Sequence, residues 1–266
     1  MKPLLRWAGS KRKLIPQLSE YWIDPQRRYI EPFAGSATVF FALQPATALL
    51  SDINPELVAF MTEVQTNAKA VYSEAIKIPP NSESYYAIRS LPSNKLSSVK
   101  RAARFYYLNR FCFNGIYRTN EKGMFNVPYS GSRTGTFPKL EEFLDSVEVL
   151  KRAKVLNSDF ETTLLGNANA NDFVYLDPPY AVGNRRVFRQ YGPNSFGLED
   201  LARLAKLLIE LNCRGTKFVL SYAYCAEALK VFAGWPKRKV FAQRNVSGFA
   251  KHRRRAAELI ISNIVL

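Results

Sequence analysis

Short apolar runs that stop at acidic or polar residues alternate along this chain with stretches of helical spacing, the rhythm of a sheet covered by helices. Residues 28–41 read as strand, glycine-containing turn and helix, and residues 48–52 as a second strand ending in a carboxylate, which makes a βαβ unit. Residues 154–158, 173–176 and 217–222 are further strands, and Leu198, Leu201, Leu204, Leu208 and Leu211 mark an amphipathic helix whose apolar side is core. A helix is predicted from Lys11 to about Trp22, with Ser10 as its N-cap. Residues 238–245 and 258–266 fit an antiparallel pair at a sheet edge, joined by a basic loop.

Between residues 79 and 129 this rhythm is lost, and polar and aromatic residues with clustered Arg and Lys take over. An inserted module is predicted at 76–145, dividing a first domain into 1–75 and 146–266. Residues 99–111 have helical spacing, with Ala102, Phe105 or Tyr106, and Asn109 on one side and Lys100, Arg101 and Arg104 on another. Its aromatic side suits either core or base stacking. Residues 116–118 and 124–127, separated by a turn ending at Gly123, read as a basic hairpin of a size that enters a DNA groove.

Composition adds a partner to this picture. A chain of 266 residues with 47% hydrophobic residues buries a full core, while 38 Lys and Arg against 22 Asp and Glu leave a net charge of +16, which points to a polyanion such as nucleic acid. A membrane surface is the weaker alternative, because there is neither an 18-residue apolar run nor a long basic amphipathic helix. Three cysteines without a C-x-x-C pair and no charged-then-apolar leader predict a cytosolic, reduced protein. The single histidine, His252, sits in a basic run, so neither a His-centred triad nor a metal site is expected.

The strongest chemical signal is Phe173-Val-Tyr-Leu-Asp177-Pro-Pro-Tyr180. The prolines cannot donate to a sheet ladder, so the strand must end near Asp177, at the carboxyl edge where open α/β sheets bind ligands. The tetrapeptide Asp177-Pro178-Pro179-Tyr180 arises by chance in roughly one chain of this length in a thousand. A carboxylate and a peptide carbonyl together suit an amine whose lone pair is delocalised into a ring, such as N6 of adenine. Accepting both amine hydrogens, from Asp177 and the Pro178 carbonyl, turns the lone pair toward an electrophile, and Tyr180 stacks on a base flipped from its duplex. Two weaker signals accompany it. Gly35 followed 17 residues later by Asp52 fits a nucleoside site in which the acid takes ribose hydroxyls, although βαβ units without ligand share that spacing. Lys11 either pairs with a small-molecule carboxylate or faces solvent, and Gly9-Ser-Lys11 lacks the glycine spacing of a phosphate loop.

Taken together, seven ordered segments resemble the Dam-type DNA adenine N6-methyltransferases: Arg6-Trp-Ala-Gly-Ser-Lys11, Glu31-Pro-Phe-Ala-Gly35, Ser51-Asp-Ile-Asn54, Tyr107-Leu-Asn-Arg110, Phe113-Asn-Gly-Ile-Tyr-Arg118, Gly123-Met-Phe-Asn-Val-Pro128 and Asp177-Pro-Pro-Tyr180. The resemblance implies a Rossmann-like sheet that binds S-adenosyl-L-methionine (AdoMet), with an inserted, mainly helical DNA-recognition domain containing a β-hairpin. It implies cofactor contacts for Trp7, Lys11, Glu31, Phe33, Gly35, Asp52, Asp159, Phe160 and Asp177. It also implies DNA contacts for Arg6, Asn114, Ile116, Arg118, Asn126 and Pro128.

Of the arginines, Arg118 is expected to read a guanine edge, whereas Arg253 and Arg254, in the basic loop, are expected to meet phosphates. Two departures stand out. Ala37 occupies a position where the family usually has a second glycine, and Tyr129-Ser-Gly-Ser-Arg133 lacks the basic residue that GATC-specific members place after the proline, which leaves the recognition sequence open. The reading is thus a restriction-modification type or solitary adenine methyltransferase, monomeric, on double-stranded DNA in the cytoplasm or nucleoid, with a partner nuclease left open. An RNA methyltransferase and a non-catalytic DNA-binding regulator are the alternatives, and the intact Asp177-Pro-Pro-Tyr180 argues against the latter.

Overall fold

In the computed structural model, which describes residues 1–131, 135–181, 196–243 and 255–266, the apolar runs form five parallel strands. These are β1 (Arg28–Glu31), β2 (Ala48–Asp52), β3 (Ala153–Asn157), β4 (Asp172–Leu176) and β5 (Lys217–Ala223). With β6 (Lys237–Gln243) and β7 (Arg255–Ser262) they make a seven-stranded sheet of order β3-β2-β1-β4-β5-β7-β6, in which β7 runs antiparallel to both its neighbours. The edge pair therefore forms as the sequence predicts, but β7 starts at Arg255, earlier than expected. The rest of the connecting basic loop, with Arg253 and Arg254, lies outside the described residues.

Strand order reverses beside β1: β2 and β3 lie on one side of it, β4 and β5 on the other. The carboxyl ends of β1 and β4 consequently flank the crevice where such sheets bind ligands. At the opposite end Arg28 clamps Asp172 through Nε (2.9 Å) and Nη2 (2.8 Å), locking the first residues of β1 and β4 in register. Every residue of β4 is buried. Because successive strand residues point to opposite faces, Phe173 and Tyr175 enter one core with Tyr29, Leu50 and Val219, while Val174 and Leu176 enter the other with Ile30, Leu49 and Phe218.

The second face is covered by α7 (Phe160–Asn167), α8 (Leu198–Cys213) and α9 (Ala226–Val231). The first is covered by α2 (Thr38–Leu43), by α3 (Pro55–Ile76), whose N-terminus Asn54 caps, and by α6 (Leu140–Leu150). The N-terminal segment corrects the sequence reading. Residues 12–14 form a 3-10 turn and only α1 (Ile15–Ser19) is α-helical, because Ser10 caps nothing and instead shares a 2.9 Å hydrogen bond with the Thr38 hydroxyl.

Between α3 and α6 lie α4 (Ser82–Ser90) and α5 (Ser98–Phe111). From Ala102 to Asn109 every residue of α5 is buried, so the expected polar side does not extend to Arg104. Its guanidinium instead donates to the Ile88 and Arg89 carbonyls at the end of α4. Phe105 and Tyr106 pack on Phe60 of α3, with ring centroids 5.6 and 5.5 Å apart, inside the same core that backs the sheet. The predicted hairpin exists as a turn closed by Gly123 N–H to Asn120 O, held by the Thr119–Phe125 bridge and by Asn126 N–H to Arg118 O rather than by extended strands. Among the described residues no helix is long and apolar enough to cross a membrane.

Candidate active site

Asp177 stands one residue beyond β4, where two prolines end the ladder. Its Oδ1 accepts from Lys11 Nζ at 2.8 Å and from Ser221 Oγ of β5 at 3.2 Å, and Ser221 Oγ is also 2.9 Å from the Tyr175 hydroxyl. Lys11 is only 7% exposed, so it does not face solvent, and its carboxylate partner is the chain's own Asp177. Its ammonium also donates to the Tyr180 hydroxyl (3.0 Å) and lies 3.8 Å from Glu258 Oε2 on β7. Burial works against this charge more than any other single influence, yet Asp177, Tyr180 and Glu258 together outweigh it and hold the ammonium above its ordinary value. Tyr180 packs edge-on against Tyr222 at 5.0 Å, and burial pushes its phenol up to about 12, so it stays protonated at neutral pH.

On the β1–β2 side, Asp52 holds the glycine turn: Oδ2 accepts from Gly35 N–H and Oδ1 from Asn54 N–H, both at 2.9 Å. Burial pushes its carboxyl up against the pull of these donors. Asn54 uses its carbonyl oxygen to cap α3, while its Nδ2 is buried without a hydrogen-bond partner among the described residues. Gly35 has φ +48° and lies so close to Trp7 that a Cβ there would come within 2.8 Å of the indole Nε1. Ala37 is also left-handed, at φ +50°. This is the conformation a glycine would take without strain, so the departure at 37 changes the side chain and leaves the turn intact. Glu31, fully enclosed at the end of β1, accepts from the Tyr29 hydroxyl at 2.9 Å, and desolvation drives its carboxyl well above the usual range.

Beyond β3, Phe33 stacks on Phe160 (5.1 Å, 28°) and meets Phe196 edge-on, giving an apolar wall. Asp159 caps α7 through Glu161 N–H and is held by Arg203 Nη2 at 2.9 Å. Trp7 in turn stacks on Tyr117 (6.1 Å, 14°), which joins the glycine turn to the base of the hairpin.

The residues expected to face DNA are less free than their sequence suggests. Arg6 donates through Nη1 to the Arg110 carbonyl, and its backbone pairs with the Asn109 amide, so it fastens the N-terminus to α5. Asn114 adopts φ +55°, Ile116 lines a cleft beside the hairpin, and the Pro128 carbonyl accepts from Phe113 N–H. Arg118 donates Nε to Asn126 Oδ1 at 2.8 Å and Nη2 to the Asn126 carbonyl at 3.5 Å, which fixes the guanidinium plane. Sequence reasoning overlooked Ser221, Glu258, Arg203 and Tyr117. For Glu258 a signal existed, a lone acid inside an apolar strand; Arg203 carried only its i,i+3 neighbour Asp200, because its other partners Asp159 and Glu161 are gathered by the fold.

Residues 7–246 match the sequence family described as D12 class N6 adenine-specific DNA methyltransferase. A type II methyltransferase of Lactococcus lactis subsp. cremoris is 31% identical over 275 residues, spanning 99% of this chain and 95% of its own. One from Methanocaldococcus jannaschii is 34% identical over 290 residues, with 99% of each chain covered. A DNA adenine methylase of Vibrio cholerae is 32% identical over 266 residues, covering 97% and 95%.

Proposed function

This chain belongs to the D12 class of N6 adenine-specific DNA methyltransferases, and from that premise we propose that it methylates adenine N6 in duplex DNA, as a monomer, with AdoMet as donor and Asp177 as the central catalytic group. The observation that carries the assignment is Asp177 itself: a carboxylate at the strand-order reversal, with Oδ1 committed to Lys11 and Ser221, and Oδ2 left, among the described residues, for an incoming amine.

The residues present fit the cofactor. The buried Asn54 Nδ2 is a donor in want of an acceptor, Asp52 can take ribose hydroxyls, and the Phe33–Phe160–Phe196 wall suits a purine. Asp159 beside it can accept from an exocyclic amine, and Lys11 and Trp7 close the other side. When bound, AdoMet supplies an electrophilic methyl group. Asp177 Oδ2 takes one hydrogen of the adenine amine and the Pro178 carbonyl the other, so that the nitrogen lone pair leaves the ring plane. As positive charge grows on N6, the carboxylate stabilises it and directs the departing proton outward. Tyr180, neutral and braced by Lys11 and Tyr222, offers its ring to the flipped base. Residues 76–145 serve as the target-recognition part, with Arg118, oriented by Asn126, as the base-reading side chain.

Purified protein incubated with unmodified genomic DNA and AdoMet, followed by sequencing that detects N6-methyladenine, tests this directly. A consistent short motif is expected, absent with Asp177→Ala, whose duplex binding should persist. An Asp177→Ala enzyme with wild-type turnover overturns the mechanism.

A further inference from the structure

On the far side of the sheet from the hairpin, Tyr224 and Phe241 are 43% and 62% exposed, and Lys239 Nζ sits between them, 4.1 Å from one ring centroid and 5.5 Å from the other. Their placement follows from register. Tyr224 leaves β5 with its N–H on the Ala257 carbonyl, and Phe241 pairs with the same Ala257 across β6–β7. Lys239 and Phe241 share one face of β6, while Val240 on the other face enters the core. An aromatic pair bracketing an ammonium presents apolar rings and a positive charge together, a combination suited to a sugar–phosphate backbone, and this one lies at the carboxyl edge of the sheet, the edge that carries Asp177.

Along that edge the order is hairpin and glycine turn near β1 and β2, then Asp177 on β4, then Tyr224 on β5 and Phe241 on β6. We propose that Tyr224, Lys239 and Phe241 form a second DNA-contact surface, which grips the duplex arm on the side of the target adenine opposite the hairpin. The proposal rests on the duplex-methylating reading above. Lys239 meets a backbone phosphate, and the two rings pack against the adjoining sugars. The net charge of +16 and the basic sequence Lys251-His-Arg-Arg-Arg255 between β6 and β7 favour a polyanion as the occupant. The reach is fixed by the sheet. Three strand spacings of ~4.8 Å separate β4 from β6, about 14 Å, which is roughly four base pairs at ~3.4 Å each.

The test uses the full-length protein, the motif mapped by methylation sequencing, and two families of duplexes carrying it, each shortened from one end only. Wild-type affinity is expected to fall about tenfold when one particular arm is cut below roughly four base pairs from the adenine. The triple variant Tyr224→Ala, Lys239→Ala, Phe241→Ser should bind the long duplex as weakly as wild type binds the cut one, and should be indifferent to shortening that arm. It should also show a log affinity against log salt slope lower by about one. Turnover on the short-armed duplex should be unchanged, which doubles as the check that the variant is folded. If the variant still loses affinity with that arm like the parent, the surface does not touch DNA. If it instead abolishes a dimer seen by sedimentation while leaving DNA binding intact, the surface is a self-association edge and the proposal fails. Absence of any methylated motif would refute the methyltransferase reading itself, a different outcome from either of these.

Discussion

Gly35 and Ala37 hold nearly the same positive φ, +48° and +50°, yet substituting the two should give very different results. In Gly35→Ala the new methyl would stand 2.8 Å from Trp7 Nε1 and 2.9 Å from Cδ1. The indole cannot fold aside without breaking its stack on Tyr117. Left-handed strain of ~1–2 kcal/mol and overpacking of ~1–3 kcal/mol, offset by ~0.4–1 kcal/mol from a stiffer unfolded chain, leave a destabilisation of about 2–4 kcal/mol. In Ala37→Gly the same ~1–2 kcal/mol of strain is relieved, against ~0.8 kcal/mol for a buried methyl and ~0.5–1 kcal/mol of backbone entropy. The net change should lie within about 1 kcal/mol of zero. Urea midpoints at constant m-value measure both, and calorimetric titration with AdoMet should show a weakened Gly35→Ala and a near-normal Ala37→Gly. Equal losses at the two positions would falsify the claim that Trp7 is what forbids a side chain at 35.

Glu31→Gln should flatten the pH dependence of stability. Burial pushes the folded carboxyl well above its ordinary value, so its contribution is full below the unfolded value near ~4.3 and drains away as pH rises toward the folded one. Melting temperatures of the two proteins should therefore diverge in favour of the variant as pH rises above the unfolded value, and a constant difference removes Glu31 from the account. Asp52→Ala deprives Gly35 and Asn54 of their acceptor and should raise the AdoMet dissociation constant by about 1.5–3 kcal/mol equivalent; unaltered affinity by calorimetry excludes it from the site. Tyr180→Ala should cost roughly 1–3 kcal/mol in transition-state stabilisation through lost stacking. Tyr180→Phe should keep the ring and lose the hydroxyl's hydrogen bond from Lys11, worth ~1 kcal/mol, and steady-state kinetics showing the two equally impaired would shift the role to the hydroxyl. Arg118→Ala should relax one base position by about 1–3 kcal/mol on a panel of single-base site variants, and Asn126→Ala should relax the same position partially. A uniformly slow Arg118→Ala enzyme with unchanged preferences makes the arginine structural.

The strands and their ends were legible because they depend on local pattern: an apolar run, an acid and two prolines specify where β4 stops whatever surrounds it. The same holds for the βαβ unit and the edge pair. What local pattern could not show was partnership at long sequence distance. Ser10 reads as an N-cap until Thr38 is brought beside it, and Arg104 reads as solvent-facing until two carbonyls at the end of α4 claim it. Lys11 becomes a site residue only when Asp177 and Glu258, from β4 and β7, converge on it. The sequence singles out Arg118 but not its hydrogen bond to Asn126, because irregular hairpins carry no side-chain register in their sequence.

The packing of Phe105 and Tyr106 onto Phe60, in one continuous core with the sheet, limits how this protein can diversify. A segment whose main helix is a wall of the catalytic core cannot be exchanged as a cassette, since a graft would open the sheet's own interior. On the proposed assignment of residues 76–145 to target recognition, new target sequences are therefore accessible by drift at the exposed hairpin tip, one side chain at a time, and not by wholesale recombination of that segment.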